Sequence, residues 1–238
     1  MSRIDYVGSE LDLFSNAHNW KNYWSQHLRP YLGQRILDVG AGIGGTARVF
    51  ANHPCESYLA LEPDSLLAQR IVDASGKGGL PKPLEVTTGT TSDLPNESRF
   101  DTILYIDVLE HIASDSEELM RARSLLSPGG RIVVLAPAHQ ALFSPFDAAI
   151  GHYRRYDRKS LLAAKPEDLH VERLFYLDSV GLLASLGNRL LLRASSPTAA
   201  QIALWDGKMV PVSRWLDPVL GLRLGKTIVA VFGDRSRT

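Results

Sequence analysis

Cysteine is almost absent from this sequence: Cys55 stands alone in 238 residues, so no intrachain disulfide can brace the fold. An excess of either charge is missing too, because 26 lysines and arginines face 26 aspartates and glutamates and leave a net charge of zero. That balance removes the global positive field on which non-specific nucleic-acid binding depends, and no nucleic-acid partner is expected. The longest greasy stretch, Val180 to Leu192, carries Asn188 and Arg189 and falls short of the roughly 20 apolar residues that span a bilayer. No charged leader with an apolar core and small-residue cleavage site opens the chain, so a cytoplasmic protein without a transmembrane segment is the expectation. Repeats, low-complexity tracts and linker-like stretches are lacking, which favours one decorated domain over residues 1–238.

What is present is a globular composition, 45% hydrophobic and 22% charged. Leu13, Ala17, Trp20, Trp24, Leu28 and Tyr31 recur at spacings of three and four, which predicts a helical cap over 10–30, with Tyr23 and Trp24 placed to roof a ligand. Short β-like and helical runs then alternate. Strands are expected at Arg35–Val39, Ser57–Leu61, Leu84–Thr88, Asp101–Ile106 and Arg131–Ala136, with Pro128, Gly129 and Gly130 ending the helix before the last of these. That alternation is the mark of a doubly wound α/β fold with a mostly parallel sheet. A strand at His170–Tyr176 follows, then an insertion over 179–225 with helices at Val180–Leu192 and Val212–Leu220, before a closing strand Thr227–Phe232. Leu182, Leu183, Leu186, Leu190 and Leu191 would let the insertion cover a pocket or pair two copies into a homodimer.

The strongest chemical signal is Ile36-Leu37-Asp38-Val39-Gly40-Ala41-Gly42-Ile43-Gly44-Gly45, a strand entering a glycine-rich turn that opens a helix. Glycines allow close backbone approach, and a helix start offers unpaired amide donors, so a nucleoside-like ligand is expected there. Gly40, Gly42 and Gly45 also satisfy the dinucleotide fingerprint, which keeps a nicotinamide-dependent oxidoreductase in play. Asp38 favours a cationic ligand, because a carboxylate at this strand end repels a diphosphate. S-adenosyl-L-methionine carries a sulfonium and an ammonium and no phosphate. Glu62, before Pro63 at the end of the second strand, suits the ribose hydroxyls.

Beyond the glycine turn stand Thr88-Gly89-Thr90-Thr91-Ser92-Asp93-Leu94-Pro95, Phe100-Asp101-Thr102-Ile103-Leu104-Tyr105-Ile106-Asp107-Val108-Leu109-Glu110-His111-Ile112 and Leu126-Ser127-Pro128-Gly129-Gly130. In that order the motifs resemble class I S-adenosylmethionine-dependent methyltransferases of the small-molecule kind labelled type 11, 12 or 23. The resemblance implies a Rossmann-like seven-stranded sheet ordered 3-2-1-4-5-7-6 with the last strand antiparallel. It implies cofactor contacts at Asp38, Gly40, Ala41, Gly42, Glu62 and Pro63, at Thr90 and Thr91 by the adenine, and at Tyr105 and Ile106 by the amino group. Many such enzymes have aspartate where Thr90 stands. Glu110 and His111 resemble the family's Glu-His pair, which orients a loop or acts in catalysis.

Pro137-Ala138-His139 and Gly151-His152-Tyr153-Arg154-Arg155-Tyr156 add a second cluster after the fifth strand. An acceptor-binding lid is expected, with Arg154 or Arg155 clamping an anionic group. His152, then Asp107, then His139 are the candidate general bases. Metal-ligand spacing is absent along the chain, so no metal is expected. The expected activity is methyl transfer to a small molecule; an oxidoreductase and a non-catalytic cofactor binder are the alternatives.

Overall fold

The computed structural model describes residues 10–76, 78–187, 189 and 197–234. Two helices, α1 (Glu10–Phe14) and α2 (His18–Leu28), precede β1 (Arg35–Val39), α3 (Gly45–Val49), β2 (Ser57–Glu62), α4 (Ser65–Ser75) and β3 (Leu84–Thr88). There follow β4 (Phe100–Ile106), α5 (Asp115–Ser124), β5 (Leu126–Pro137), α6 (Pro145–Ala149), α7 (Arg158–Ala164) and β6 (His170–Leu177). The chain closes through α8 (Ser179–Gly187), α9 (Ala199–Leu204), α10 (Val210–Val219) and β7 (Thr227–Gly233). The seven strands form one sheet in the order β3-β2-β1-β4-β5-β7-β6. β1 pairs in parallel with β2 and β4, whereas β7 runs antiparallel to both β5 and β6.

Alternate residues of the central strands feed two cores on opposite sheet faces, because side chains along a strand point to alternate sides. Leu37, Ile103, Val134 and Ala230 pack with Leu119 and Leu161 of α5 and α7. Ile36, Leu104, Val133 and Val229 pack with Trp24, Ala47 and Ile71 of α2, α3 and α4. Burial on both faces explains why these strands read as nearly unbroken apolar runs.

Two boundaries differ from expectation. The N-terminal periodicity is split between α1 and α2 by the turn at Ser15–Ala17, and the strand expected at Arg131 starts at Leu126, which pairs with Phe100. The Pro128-Gly129-Gly130 segment is therefore an irregular strand entry, with the register shifting between Phe100 and Thr102. Leu190 and Leu191 of the insertion lie outside the described residues. Among the described residues no helix is long and apolar enough to cross a membrane.

Three buried aspartates tie the insertion to the rest. Ala17 offers α2 no side-chain cap, and Asp206 supplies it from a distance, accepting from the backbone N–H of Trp20 at 2.8 Å and of Asn19 at 3.2 Å. Asp217 of α10 accepts from the Tyr23 hydroxyl at 2.8 Å and from the N–H groups of Asp178 and Ser179 at 2.7 and 3.0 Å. Asp178 accepts from the Ser213 hydroxyl and the Trp205 indole, both at 2.8 Å. Asp217→Ala strands three donors at once, so it is expected to cost about 2–4 kcal/mol in urea unfolding. Asp217→Asn, which keeps one acceptor, should cost less; equal losses would show that the carboxylate is not what joins α2 to α10.

Candidate active site

A cavity of about 1330 Å³ opens beyond the carboxyl ends of β1, β2 and β4 and is roofed by α2 and the insertion. It exceeds the roughly 300–1,000 Å³ usual for one small ligand, leaving room for two. Its position is where open α/β sheets bind ligands.

The glycine turn forms the floor. Gly40 has φ of 63°, and a Cβ there would sit 2.8 Å from both methyls of Val108, so only glycine fits. Glu62 locks this turn: one carboxylate oxygen accepts from Gly42 N–H at 2.7 Å and the other from Asp64 N–H at 2.9 Å. Burial raises the Glu62 carboxyl above its usual range, and those two N–H bonds pull the other way. Gly40, Ala41, Gly42, Glu62, Pro63, Thr90, Thr91 and Ile106 all face the cavity.

Asp38 and Tyr105 are not among the residues that line it. The Asp38 side chain turns beneath the floor and accepts from the Tyr58 hydroxyl at 2.9 Å; burial pushes its carboxyl up to about 7 against that hydrogen bond. Tyr105 is buried with its hydroxyl donating to Glu118 at 2.5 Å. Of the expected roof pair, Trp24 lines the cavity and Tyr23 is held away by Asp217. Thr90 donates to Asp93 at 2.9 Å and Thr91 to Glu118 at 3.0 Å, so each hydroxyl keeps acceptor capacity only.

On the far side the chain leaves β4 with Asp107 in the left-handed region, φ 54°, its N–H bonded to Leu135 O at 2.8 Å. The side chain opens onto the cavity. The enclosing protein pushes its carboxyl up to about 6, while His152 and Lys226 draw it down. Two residues further on, the turn Leu109–His111 buries Glu110 completely, and neither carboxylate oxygen has a hydrogen-bond partner. The His111 and His152 rings meet edge to face at 4.5 Å, and burial lowers His111 to about 4.

Asp147, in α6, was not singled out by sequence and organises the loop that carries His152 and Arg155. It accepts from the Ser144 hydroxyl at 2.6 Å and from Arg155 Nε and Nη2 at 3.0 and 2.9 Å, and it lies 3.1 Å from His152 Nδ1. These partners hold its carboxyl well below the usual range despite burial. A carboxylate only accepts, so His152 donates to Asp147 through Nδ1, which leaves Nε2 turned toward Glu110 Oε1 at 3.9 Å.

Arg154 is likewise engaged, with Asp115 at 2.6 Å and Ala113 O at 2.6 Å. Both arginines of the expected clamp are held by internal carboxylates, and of the two it is Arg155 that lines the cavity, with Nη1 unpaired. His139 is not brought to the cavity: φ is 66°, its Nε2 lies 2.9 Å from Gly225 O, and its ring stacks on Tyr176 at 5.4 Å. Among the cations that line the cavity, Lys226 came without sequence warning; its ammonium lies 5.1 Å from the Trp205 ring centroid and is lowered in pKa by burial. Only the fold reveals it, because it precedes the last strand far from every motif.

Glu110, His111 and His152 each bring one ligand-type atom within 4.8 Å of the others. The absence of metal-ligand spacing along the chain did not anticipate this, since the three come from two separate loops.

Residues 15–168 match the family described as methyltransferase domain. A tRNA U34 carboxymethyltransferase of Syntrophotalea carbinolica is 36% identical over 114 residues, 45% of this chain and 33% of that protein. A ubiquinone/menaquinone biosynthesis C-methyltransferase of Caulobacter sp. is 29% identical over 165 residues, 61% of this chain and 64% of that protein. The chain therefore spans between a third and two thirds of these relatives. Coclaurine N-methyltransferase, bound to N-methylheliamine and SAH, shares the fold with a TM-score of 0.60 at 15% identity, over 92% of this chain and 72% of that one.

Asp38 allows a pH test of the floor. Its folded pKa of about 7 lies above the unfolded value near 3.8, so the folded state holds a proton that the unfolded state releases. That contribution is full below about pH 4 and is lost as pH rises through 7. Between pH 5 and 7 the stability of wild type relative to Asp38→Asn should fall by about 1 kcal/mol per unit in urea unfolding. Parallel pH profiles would place the Asp38 carboxylate in water instead.

Proposed function

This chain belongs to the class I S-adenosylmethionine-dependent methyltransferases, and from that membership we propose that it moves the methyl group of S-adenosylmethionine onto a small-molecule acceptor held in the same cavity. The family match favours this reading over the nicotinamide and non-catalytic ones. The observation that carries the proposal is Glu62, a buried carboxylate facing the cavity and locked to the glycine turn. Its oxygens each retain a lone pair for a ribose hydroxyl, and a carboxylate at this point favours a cation over a diphosphate. The backbone of Gly40 to Gly42 lies open beside it, with no Cβ in the way at Gly40 or Gly42.

When bound, the cofactor supplies a carbon activated by positive sulfur, which keeps the electron pair of the broken S–C bond and leaves as a neutral thioether. The protein's part is alignment and enclosure. Trp20 and Trp24 close the wall against water, and Ile106 ends the strand below. Holding donor and acceptor in line is worth roughly 7–11 kcal/mol of the barrier, so proton transfer is secondary. Where the acceptor is a hydroxyl, Asp107 takes its proton. It opens directly onto the cavity, whereas His152 spends Nδ1 on Asp147 and turns Nε2 toward Glu110.

A small acceptor is supported by apolar walls at Phe143, Phe146, Ile202 and Trp205. Zero net charge does not exclude a nucleic acid, because relatives named tRNA U34 carboxymethyltransferase share the domain. The two acceptor classes separate in a tritiated methyl-transfer screen, where label is expected in small molecules and not in tRNA.

Glu62→Gln keeps the side chain's shape and removes its charge. In calorimetry it should weaken S-adenosylhomocysteine binding at least tenfold, about 1.4 kcal/mol. In thermal unfolding S-adenosylhomocysteine should raise the wild-type midpoint and NADH should not. Undiminished affinity in a folded Glu62→Gln protein would overturn the cofactor assignment.

A further inference from the structure

Glu110 poses a problem that the methyl-transfer reading leaves unsolved. Its carboxylate is excluded from water and neither oxygen accepts a hydrogen bond. A buried carboxyl without partners is costly, and native structures rarely tolerate one unless an ion or another group satisfies it. The nearby Arg155 guanidinium gives Nε and Nη2 to Asp147 and makes no hydrogen bond to Glu110, and that of Arg154 is held by Asp115. Facing Glu110 is His152 Nε2, at 3.9 Å, on a ring whose Nδ1 is held by Asp147. A metal ion between carboxyl and imidazole would satisfy both groups at once.

We propose that Glu110, His111 and His152 bind one divalent transition-metal ion of the zinc class on the acceptor side of the cavity. The three side chains offer one carboxylate oxygen and two imidazole nitrogens, and their ligand atoms already lie within 4.8 Å of one another. A shared tetrahedral centre at about 2.0–2.2 Å from each sets the ligand atoms about 3.4 Å apart, so a pair at the 4.8 Å limit would draw in by about 1.4 Å. Imidazole nitrogens favour zinc-class ions over magnesium, which prefers an all-oxygen shell. The Asp147–His152 hydrogen bond is the carboxylate–histidine support that metal-bound imidazoles carry, at 3.1 Å. Three protein ligands leave a position open toward the cavity, where an acceptor oxygen would be held beside Asp107. That last role rests on the methyl-transfer reading; the ion site does not.

The test uses untagged full-length protein, stripped with chelator, and cobalt(II) as the probe. Titration is expected to give one equivalent with visible ligand-field bands, and zinc should displace the cobalt. Glu110→Gln and His152→Ala should each abolish the bands or weaken binding at least a hundredfold, while calorimetry with S-adenosylhomocysteine shows the cofactor half intact. Asp147→Asn should weaken cobalt about 10–100-fold while leaving the band positions in place. Should Glu110→Gln fail to fold, His152→Gln and the wild-type stoichiometry still decide. An absence of bands in wild type, or bands unchanged in the folded variants, would overturn the site. Loss of S-adenosylhomocysteine binding by wild type with cobalt binding retained would instead overturn the cofactor assignment alone.

Discussion

Taking carboxylates out of water at one edge of the sheet is the constraint around which this molecule is arranged. Each acid near the cavity meets it differently. Asp38 leans on the Tyr58 hydroxyl and holds its proton up to about pH 7; Glu62 is held by two backbone N–H groups. Asp147 is matched by Arg155, Ser144 and His152 and remains charged. The differences follow from what each is paired with, since burial alone pushes all of them the same way. They leave a floor that accepts hydrogen bonds, a wall with a group poised near neutrality at Asp107, and one acid, Glu110, with its need unmet.

The roof is built on the same chemistry. Neither α2 nor the insertion has a self-sufficient end: α2 lacks its own cap, and the entry to α8 leaves the N–H groups of Asp178 and Ser179 for Asp217 to receive. Asp206 and Asp217 satisfy both sets of donors, so two segments far apart in sequence become one lid over the cavity. The aromatic contacts of Trp205 with Trp20 at 5.7 Å and Phe14 at 6.0 Å complete that joint.

The strands, the glycine turn and the strand-end position of Glu62 were legible because each is a local pattern: apolar runs buried on both faces, glycines at positive φ, an acid closing a strand; the strand order followed only from the family resemblance. What escaped was whatever depends on direction or on distant partners. Asp38 sits in the right motif, yet alternation along β1 sends its side chain under the floor, toward Tyr58. Arg154 and Arg155 read as an anion clamp because a sequence does not show that Asp115 and Asp147 already hold them. His139 shares a cluster with His152 along the chain, but its backbone bridges to Tyr156 and turns the ring onto Tyr176. Lys226 belongs to no motif and reaches the cavity only because β7 enters between β5 and β6.

The strained turn after β4 shows how the two halves of the cavity are joined. A non-glycine residue at φ of 54° costs of order 1–3 kcal/mol, and it persists here because Leu135 O fixes the Asp107 N–H while Gly40 leaves room for Val108. Without that reversal β4 would run straight on and carry Glu110 and His111 away from the loop that holds His152. The backbone bond from Tyr153 N–H to Glu110 O, at 2.8 Å, then staples the turn to the loop that carries His152. Glycine at position 40 therefore serves both sides at once: it opens the floor to a ligand and makes the space in which Val108 folds the acids of the far wall back over it.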